Sequence, residues 1–103
     1  MRVISVAVLK AFWERPEYAD ARVPLLTWLD VVSKAAWQQP VDIKAQFGSA
    51  SVLKNRRVVF NIKGNDYRLV VAVAFRYQAL YVKFVGTHTQ YDAIYADTVE
   101  LKP

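Results

Sequence analysis

Cysteine is absent from this 103-residue chain, and histidine occurs once, as His88. The lack of cysteine excludes a disulfide framework, a thiolate metal site and a cysteine nucleophile. One histidine is too few for a metal centre built on several imidazoles, so we expect neither a metal nor another cofactor. The longest uncharged apolar run, residues 69–75, is far shorter than the ~20 residues of a transmembrane helix, so no membrane partner is expected.

Glycine is also scarce, with three residues that stand far apart: Gly48, Gly64 and Gly86. This scarcity excludes a glycine-rich phosphate loop and a flexible linker. The first ten residues have too short an apolar stretch for a secretory signal, so the cytoplasm is the expected location. The length and the hydrophobic fraction of 54% predict one folded domain over residues 1–103.

The charge of the chain is positive and unevenly distributed. Lysine and arginine number 14 against 9 acidic residues, for a net charge of +5. Residues 44–88 contain eight of the basic residues and one acid, Asp66, so this segment carries +7 and the remainder −2. A concentrated positive field suggests a polyanion partner such as nucleic acid, although an ordinary solvated basic face has the same composition.

Apolar residues recur at helical spacing in the first half of the chain. The pattern predicts a strand at residues 2–4, a helix from its cap Ser5 to about Glu14, a helix from Asp20 to residues 38–40 with Pro24 in its first turn, and a further helical turn at residues 41–47. Three tryptophans follow this spacing and are expected in the core rather than stacked on bases: Trp13, Trp28 and Trp37.

The second half alternates between apolar and polar residues, which is typical of strands with one buried face. The predicted strands are residues 57–63, 67–76 and 80–87, followed by a helix over residues 89–97 capped by Thr89. The predicted core residues of the sheet are Phe60, Leu69, Val71, Val73 and Phe84. The fold class is therefore α+β: an antiparallel sheet of three to four C-terminal strands, with a short N-terminal strand, covered on one face by two N-terminal helices. The other face is expected to be partly open and basic.

The first hairpin has a clear turn signal at Gly64-Asn65, because glycine adopts positive φ without strain. Closing the hairpin there pairs Asn61 with Arg68. Closing it one residue later would oppose Lys63 to Arg68, and two like charges facing each other are unfavourable. The turn chemistry and the charge pattern therefore predict the same register.

The second hairpin is predicted to close on residues 78–79, which pairs Val73 with Phe84. The same register turns His88 towards the core. Only a bulge at Gly86, or a strand that ends before the histidine, would bring its imidazole to the basic face.

Three residues near this end of the sheet are of the types that metal-free RNA cleavage requires: Arg68, His88 and Tyr91. A base removes the proton of the ribose 2′-hydroxyl, a cation stabilises the crowded phosphorane, and an acid protonates the leaving oxygen. Structural roles are the alternatives: Arg68 could pair with Asp66, His88 could cap or pack at a helix start, and Tyr91 could simply pack.

Six further residues on or beside the same strands are predicted to contact RNA: Lys54, Arg56, Arg57, Asn61, Lys63 and Lys83. Five of them are cations that can neutralise backbone phosphates. The alternative for the run at residues 54–57 is a solvated basic surface.

Two stretches of the sequence stand out as motifs: the first is Phe60-Asn61-x-x-Gly64-Asn65-x-x-Arg68, and the second is Thr87-His88-x-x-Tyr91-Asp92. Together they resemble the HigB family of bacterial toxins. The likeness extends from Trp37-Gln38-Gln39-Pro40 through the terminal helix, and it covers the first forty residues in layout only. Either stretch alone would be suggestive, whereas both at this separation are specific.

The resemblance implies a RelE-like fold and a metal-independent endoribonuclease, the toxin of a type II toxin–antitoxin pair. Such a toxin cuts messenger RNA, generally on the ribosome, and is held inactive by a cognate antitoxin, expected to be a helix-turn-helix protein. By the same resemblance, Asn61 and Arg68 belong to the first motif, with Arg68 on the scissile phosphate. His88 or Tyr91 would transfer protons.

Two other function classes use the same surface differently. The chain could be an RNA- or ribosome-binding module without turnover, or a protein-interaction domain. A cleavage assay separates the first from a nuclease. Strong salt dependence separates both nucleic-acid binders from the protein-interaction domain, because phosphate contacts release counterions.

Overall fold

A computed structural model describes residues 1–102. Its strands are β1 (Arg2–Ile4), β2 (Ser51–Val52), β3 (Arg57–Ile62), β4 (Tyr67–Ala74) and β5 (Ala79–Thr87). Its α-helices are α1 (Val6–Trp13), α2 (Arg22–Ser33), α3 (Pro40–Gln46) and α4 (His88–Asp92). Two 3-10 helical segments, Pro16–Ala21 and Phe75–Tyr77, complete the regular structure of these residues. The longest helix, α2, has 12 residues, and no helix within residues 1–102 is long and apolar enough to cross a bilayer.

The five strands form one sheet in the order β1-β5-β4-β3-β2. β1 runs parallel to β5, and every other neighbouring pair is antiparallel. The α+β class is confirmed, and the arrangement is compatible with a RelE-like fold. The sheet is mixed because the short N-terminal strand joins its edge.

The main core lies between the sheet and the N-terminal helices. Side chains of α1, α2 and α3 pack on one sheet face, including Leu9, Phe12, Leu25, Trp28, Val32 and Ile43. Four of the predicted sheet residues are buried there: Phe60, Leu69, Val71 and Val73. Trp28 and Trp37 also belong to this core, with Trp13 packed against it, which confirms their expected place.

The first hairpin has the predicted register. Asn61 pairs with Arg68 and Phe60 pairs with Leu69. Four turn residues, 63–66, connect the strands, and both Lys63 (φ 52°) and Gly64 (φ 62°) adopt left-handed backbone conformations. The alternation of apolar and polar residues therefore fixed which side chains share a face.

The predicted register of the second hairpin is wrong. Val73 pairs with Leu80 rather than with Phe84. The chain leaves β4 after Ala74 and turns through Phe75–Tyr77, and the Gln78 side chain donates a hydrogen bond to the Phe75 carbonyl at 3.0 Å. The turn thus forms earlier than the sequence suggested.

A bulge in β5 then changes which residues face the helices. Val71 pairs with Val82 and Val70 pairs with Phe84, so Lys83 is the extra residue. Phe84 is consequently not under the N-terminal helices as predicted. It packs on the opposite sheet face, in a second apolar cluster around Val59 and Val70.

Helix boundaries differ from the prediction where capping was misread. Ser5 precedes α1 with φ 75° and makes no side-chain cap. α2 ends at Ser33, and Gln39 starts α3 instead of ending α2. The Asp42 carboxylate accepts backbone hydrogen bonds at this start, including one from Gln39 at 3.2 Å. The second predicted helix therefore ends too late in the prediction, whereas the separate helical turn predicted at residues 41–47 is confirmed as α3.

The C-terminal region is the largest departure from the expected layout. The last helix is α4, capped by Thr87 rather than by Thr89, and it ends at Asp92. The chain then crosses the second sheet face, where Ile94, Ala96 and Val99 pack in the second apolar cluster. Part of the face that was expected to be open is therefore covered.

Candidate active site and nucleic-acid interface

A row of three residues crosses the sheet at one end of its second face. Asn61 of β3 pairs with Arg68 of β4, and Arg68 pairs with Gly86 of β5. Residues directly opposite each other in a sheet have side chains on the same face. We call these three residues the Arg68 row.

The Arg68 guanidinium is held by neutral groups. Its Nη1 donates hydrogen bonds to the carbonyls of Asn65 at 3.1 Å and Tyr67 at 3.4 Å. Its Cζ lies 5.9 Å from the centre of the Tyr91 ring, a cation–π distance. No carboxylate within residues 1–102 pairs with Arg68, because Asp66 pairs with Lys63 instead at 3.2 Å. Its positive charge is therefore not neutralised by a carboxylate within these residues, and its other N–H groups can bind an anion.

Gly86 is required by the close approach of its neighbours. A Cβ at this position would lie 2.6 Å from Cζ of Phe84 and 2.7 Å from Oε1 of Gln90. The Gln90 amide oxygen is fixed there because it accepts a hydrogen bond from the Thr87 backbone at 2.9 Å, while the Gln90 backbone donates to the Thr87 hydroxyl at 3.1 Å. This reciprocal cap fixes the start of α4 against the end of the sheet.

His88 is the first residue of α4, directly beyond the end of β5. The strand ends at Thr87, which is one of the two expected ways to free the histidine. The other, a bulge at Gly86, does not occur. Nδ1 of His88 lies 3.2 Å from Oδ2 of Asp92, and the imidazole is 53% exposed. A carboxylate at this distance favours the tautomer with hydrogen on Nδ1, which leaves Nε2 as a proton acceptor.

A shallow groove of about 320 Å³ runs beside the imidazole. Its walls come from the 3-10 segment before α2, the first hairpin turn and the start of α4, and they include Tyr18, Asn65, Asp66 and Thr89 with His88. The His88 backbone is fixed to this wall because its N–H donates to the Asp66 carbonyl at 3.2 Å. The exposed imidazole therefore lines a groove that is open to solvent.

Tyr91 lies one helical turn from His88, as predicted. Its ring contacts the Arg68 guanidinium and is 6.5 Å from the Phe84 ring, on the second sheet face. No hydrogen bond joins His88 to Arg68 within the described chain. Asn65 lies between the two residues: its backbone carbonyl accepts a hydrogen bond from Arg68, and the residue also lines the groove beside His88.

Arg57 is not a surface cation, contrary to the prediction of an open basic face. The residue is 5% exposed, and its Nη1 donates to the carbonyls of Ala96, at 3.4 Å, and Val99. Its Nη2 lies 2.6 Å from Oε2 of Glu100. The C-terminal segment therefore covers this arginine.

Three of the predicted RNA-binding lysines also form ion pairs. Lys83 bonds Glu100 at 2.6 Å, Lys54 lies 3.3 Å from Asp97, and Lys63 bonds Asp20 at 2.8 Å. These acids lie outside residues 44–88, and folding of the chain brings them next to the lysines. Much of the +7 charge of that segment is consequently neutralised within the molecule.

The pKa values follow these pairs. Hydrogen bonding to Lys83, opposed by burial, lowers the pKa of Glu100, and Arg57 lowers it further. Hydrogen bonds from Lys63 and Tyr67 lower the pKa of Asp20. Burial, together with the hydrogen bond to Asp20, raises the pKa of Tyr67 to about 12. The carboxylates at both ends of the sheet are therefore held in their charged form.

Arg56 and Asn61 complete the predicted set. Arg56 has a left-handed backbone (φ 58°), is exposed, and has no carboxylate partner within residues 1–102. Asn61 is half-buried in the Arg68 row. Sequence reasoning missed the acidic partners Asp97 and Glu100, whose only signal was the net negative charge outside residues 44–88. Within the described residues, no three histidine or acidic side chains converge to hold a metal ion.

The chain is similar to known toxins over most of its length. It is 32% identical over 94 residues to mRNA interferase toxin HigB of Escherichia coli K12, a match that covers 89% of this chain and 88% of the relative. Proteins called mRNA interferase HigB from Escherichia coli O157:H7 and Shigella flexneri match with the same identity and coverage.

A family model supports the same grouping. The model of HigB toxin, a RelE-like toxic component of a toxin–antitoxin system, matches residues 21–94. This range includes the Arg68 row, His88 and Tyr91 as well as α2 and the whole sheet except β1. The chain therefore belongs to the HigB toxin family.

Proposed function

We propose that this chain is a metal-independent endoribonuclease that cleaves messenger RNA, with Arg68 as its clamp on the scissile phosphate. As a HigB family member it is the toxin of a toxin–antitoxin system, and its relatives are called mRNA interferases. The observation that carries the proposal is an arginine that has no carboxylate partner among residues 1–102 and is fixed by two carbonyls and one aromatic ring. Residues 1–103 act as one RelE-like toxin domain in this proposal.

The proposed reaction needs one base, one cation and one acid. The base takes the proton of the ribose 2′-hydroxyl, and the oxygen then attacks the adjacent phosphorus. The bond from phosphorus to the 5′-oxygen breaks, the acid protonates that oxygen, and a 2′,3′-cyclic phosphate remains. Arg68 stabilises the extra negative charge of the phosphorane, which is the largest electrostatic demand of the step.

His88 is the proposed proton-transfer residue. Asp92 orients its ring through Nδ1, which leaves Nε2 as the proposed acceptor on a residue that lines the groove. Histidine accepts and donates protons near neutral pH, whereas tyrosine normally stays protonated. Tyr91 is assigned an orienting role, because its ring lies against the Arg68 guanidinium and offers a surface for a base.

The proposal includes the setting in which cleavage takes place. Messenger RNA is the substrate and the ribosome is the proposed place of cleavage, in the cytoplasm. A toxin of this family has an antitoxin partner. We propose a helix-turn-helix antitoxin that inhibits by covering the Arg68 row or by blocking entry to the ribosome.

The decisive experiment compares Arg68→Ala with Arg76→Ala. Arg76 is a matched control, since its Cζ also lies against a tyrosine ring, 5.7 Å from Tyr77, and it has no role in the proposed site. Removing a charge-assisted transition-state contact costs about 100-fold or more in rate. We expect Arg68→Ala to lose messenger RNA cleavage by that factor, measured with translating ribosomes and with free RNA, while Arg76→Ala cleaves like the wild type.

The outcomes distinguish the functions considered. Equal cleavage by the two folded variants would remove Arg68 from the site. If the wild type binds RNA or ribosomes but never cleaves, the chain is a binding module, and the nuclease proposal fails. Thermal unfolding of each variant shows whether a lost activity reflects a lost fold.

A further inference from the structure

A second cationic site lies on the same sheet face as the Arg68 row. Arg57 of β3, Ala72 of β4 and Tyr81 of β5 form a cross-strand row, and the bulged Lys83 lies beside it. A cavity of about 220 Å³ opens here, lined by Asn55, Arg56, Arg57, Tyr81, Lys83 and Glu100. Three cations thus surround one small space.

One carboxylate occupies the cationic side of this cavity. Oε2 of Glu100 lies 2.6 Å from Nη2 of Arg57, and Oε1 lies 2.6 Å from Nζ of Lys83. Two anionic oxygens that each bind one cation match the way in which a phosphate group is bound. The same two contacts lower the pKa of Glu100, so the carboxylate stays charged at neutral pH.

The site lies on the same sheet face as the Arg68 row, and the C-terminal segment packs between the two over Val59 and Val70, so a nucleic acid strand that contacts both must pass over this segment. Arg57 and Asn61 are four residues apart on β3, which places the two rows ~13 Å apart at ~3.3 Å per residue. An extended RNA strand covers this distance in a few nucleotides. A phosphate at Arg68 would therefore bring a flanking phosphate of the same strand near Arg57 and Lys83.

The arginine and the glutamate are anchored differently. Arg57 is held by the carbonyls of Ala96 and Val99 as well as by Glu100, so it keeps two partners when the carboxylate leaves. The Glu100 side chain is 59% exposed and does not belong to the second apolar cluster. Arg57 therefore stays in place when the Glu100 carboxylate is replaced by another anion.

We propose that the Arg57–Lys83 site binds a backbone phosphate that flanks the cleavage point, and that Glu100 is an internal competitor for that phosphate. The proposal rests on the proposed RNA-cleaving function. In the free toxin the C-terminal segment neutralises one end of the sheet face. RNA must displace the Glu100 carboxylate to occupy both rows.

The test measures binding of a fully 2′-O-methylated oligoribonucleotide, which lacks the attacking hydroxyl and stays intact. Glu100→Gln keeps the shape of the side chain and removes its charge. Asp30→Asn is the matched control, because it removes one negative charge from an exposed pair with Lys34 on α2. We expect Glu100→Gln to bind about threefold to tenfold more tightly than Asp30→Asn at low salt.

The salt dependence and a second variant sharpen the result. One additional phosphate contact should steepen the slope of log affinity against log salt by about 0.7. Adding Lys83→Gln to Glu100→Gln should abolish both the tighter binding and the steeper slope. Equal affinities of Glu100→Gln and Asp30→Asn would overturn the proposal. So would tighter binding that survives the loss of Lys83.

Cleavage by the same proteins separates this inference from the proposed function. If the wild type cleaves messenger RNA but Glu100→Gln binds like Asp30→Asn, the competitor role fails and the nuclease stands. If no protein cleaves but Glu100→Gln binds selectively, the phosphate site stands on a non-catalytic RNA-binding module. A gain seen only with the antitoxin, and not with RNA, would assign the site to protein recognition and overturn the proposal.

Discussion

Arg57 and Arg68 occupy equivalent sequence patterns at opposite ends of one sheet face, yet they have opposite environments. Arg57 is 5% exposed and is bonded to the C-terminal segment, including the Glu100 carboxylate. Arg68 contacts carbonyls and the Tyr91 ring, with no carboxylate partner in the described part of the chain. Arg57 is bound into the fold and already holds an internal carboxylate, whereas Arg68 has no internal carboxylate that an incoming anion must displace.

The difference arises from what crosses each end of the face. The chain beyond α4 packs Ile94, Ala96 and Val99 over the middle of the sheet and reaches Arg57. α4 covers only the Gly86 end of the Arg68 row, where its cap at Thr87 and Gln90 fixes it, and it brings a ring rather than a carboxylate to Arg68. The segment that packs over each arginine, rather than the position of the arginine in its strand, determines its environment.

The largest expected effect concerns proton transfer at the uncovered end. We expect His88→Gln to lower the cleavage rate by about 100-fold or more and to change the pH–rate profile, since general acid–base catalysis contributes on that scale. Tyr91→Phe keeps the ring beside Arg68 and should lose less. The measurement is cleavage rate against pH for the wild type and both variants.

Two results would revise the assignment. If His88→Gln cleaves at the full rate with an unchanged pH profile, the His88 imidazole has no chemical role in cleavage. If Tyr91→Phe alone loses rate, the two residues exchange roles.

The second effect contrasts the two arginines in stability. Arg57→Met removes hydrogen bonds to two carbonyls and an ion pair at the covered end, and we expect it to lower the free energy of unfolding by about 2 kcal/mol. Arg68→Met should change it by about 0.5 kcal/mol or less, because it loses partly solvated contacts. Urea unfolding of both variants measures this difference. Equal losses would contradict the division between a structural and an available arginine.

The smallest expected effect is on the pH dependence of stability, through the hydrogen bond between Tyr67 and Asp20 near the first hairpin turn. Tyr67 donates a hydrogen bond to Asp20, which also pairs with Lys63. Because the folded pKa of Tyr67 is raised from 10.0 to about 12, its stabilisation is complete below pH 10 and is lost as pH rises from 10 to 12. Tyr67→Phe should therefore show a shallower loss of stability over that range in urea unfolding.

Part of the alkaline loss should remain in Tyr67→Phe. The pKa of Lys63 is also raised, by its hydrogen bonds to Asp20 and Asp66, so this group loses its proton at high pH as well. Identical pH slopes for the wild type and Tyr67→Phe would show that the hydroxyl does not stabilise this end of the sheet.

Features that depend on neighbouring residues could be predicted from the amino-acid sequence alone. Alternation assigned Phe60, Leu69 and Val71 to the core face, and the Gly64-Asn65 turn set Asn61 opposite Arg68. The two motifs that resemble HigB toxins lie in the region matched by the family model. These features follow from local backbone preferences and from the two-residue period of a strand.

Which cations are paired with acids depends on how distant segments of the chain pack together. The bulge at Lys83 moved Phe84 to the other face, and this depends on how β5 fits β4 rather than on either strand alone. Arg57 and Lys63 are paired with acids 43 residues away in sequence, a separation at which no periodicity carries information. Charge counts are additive along a chain, whereas ion pairing and burial depend on how distant segments pack.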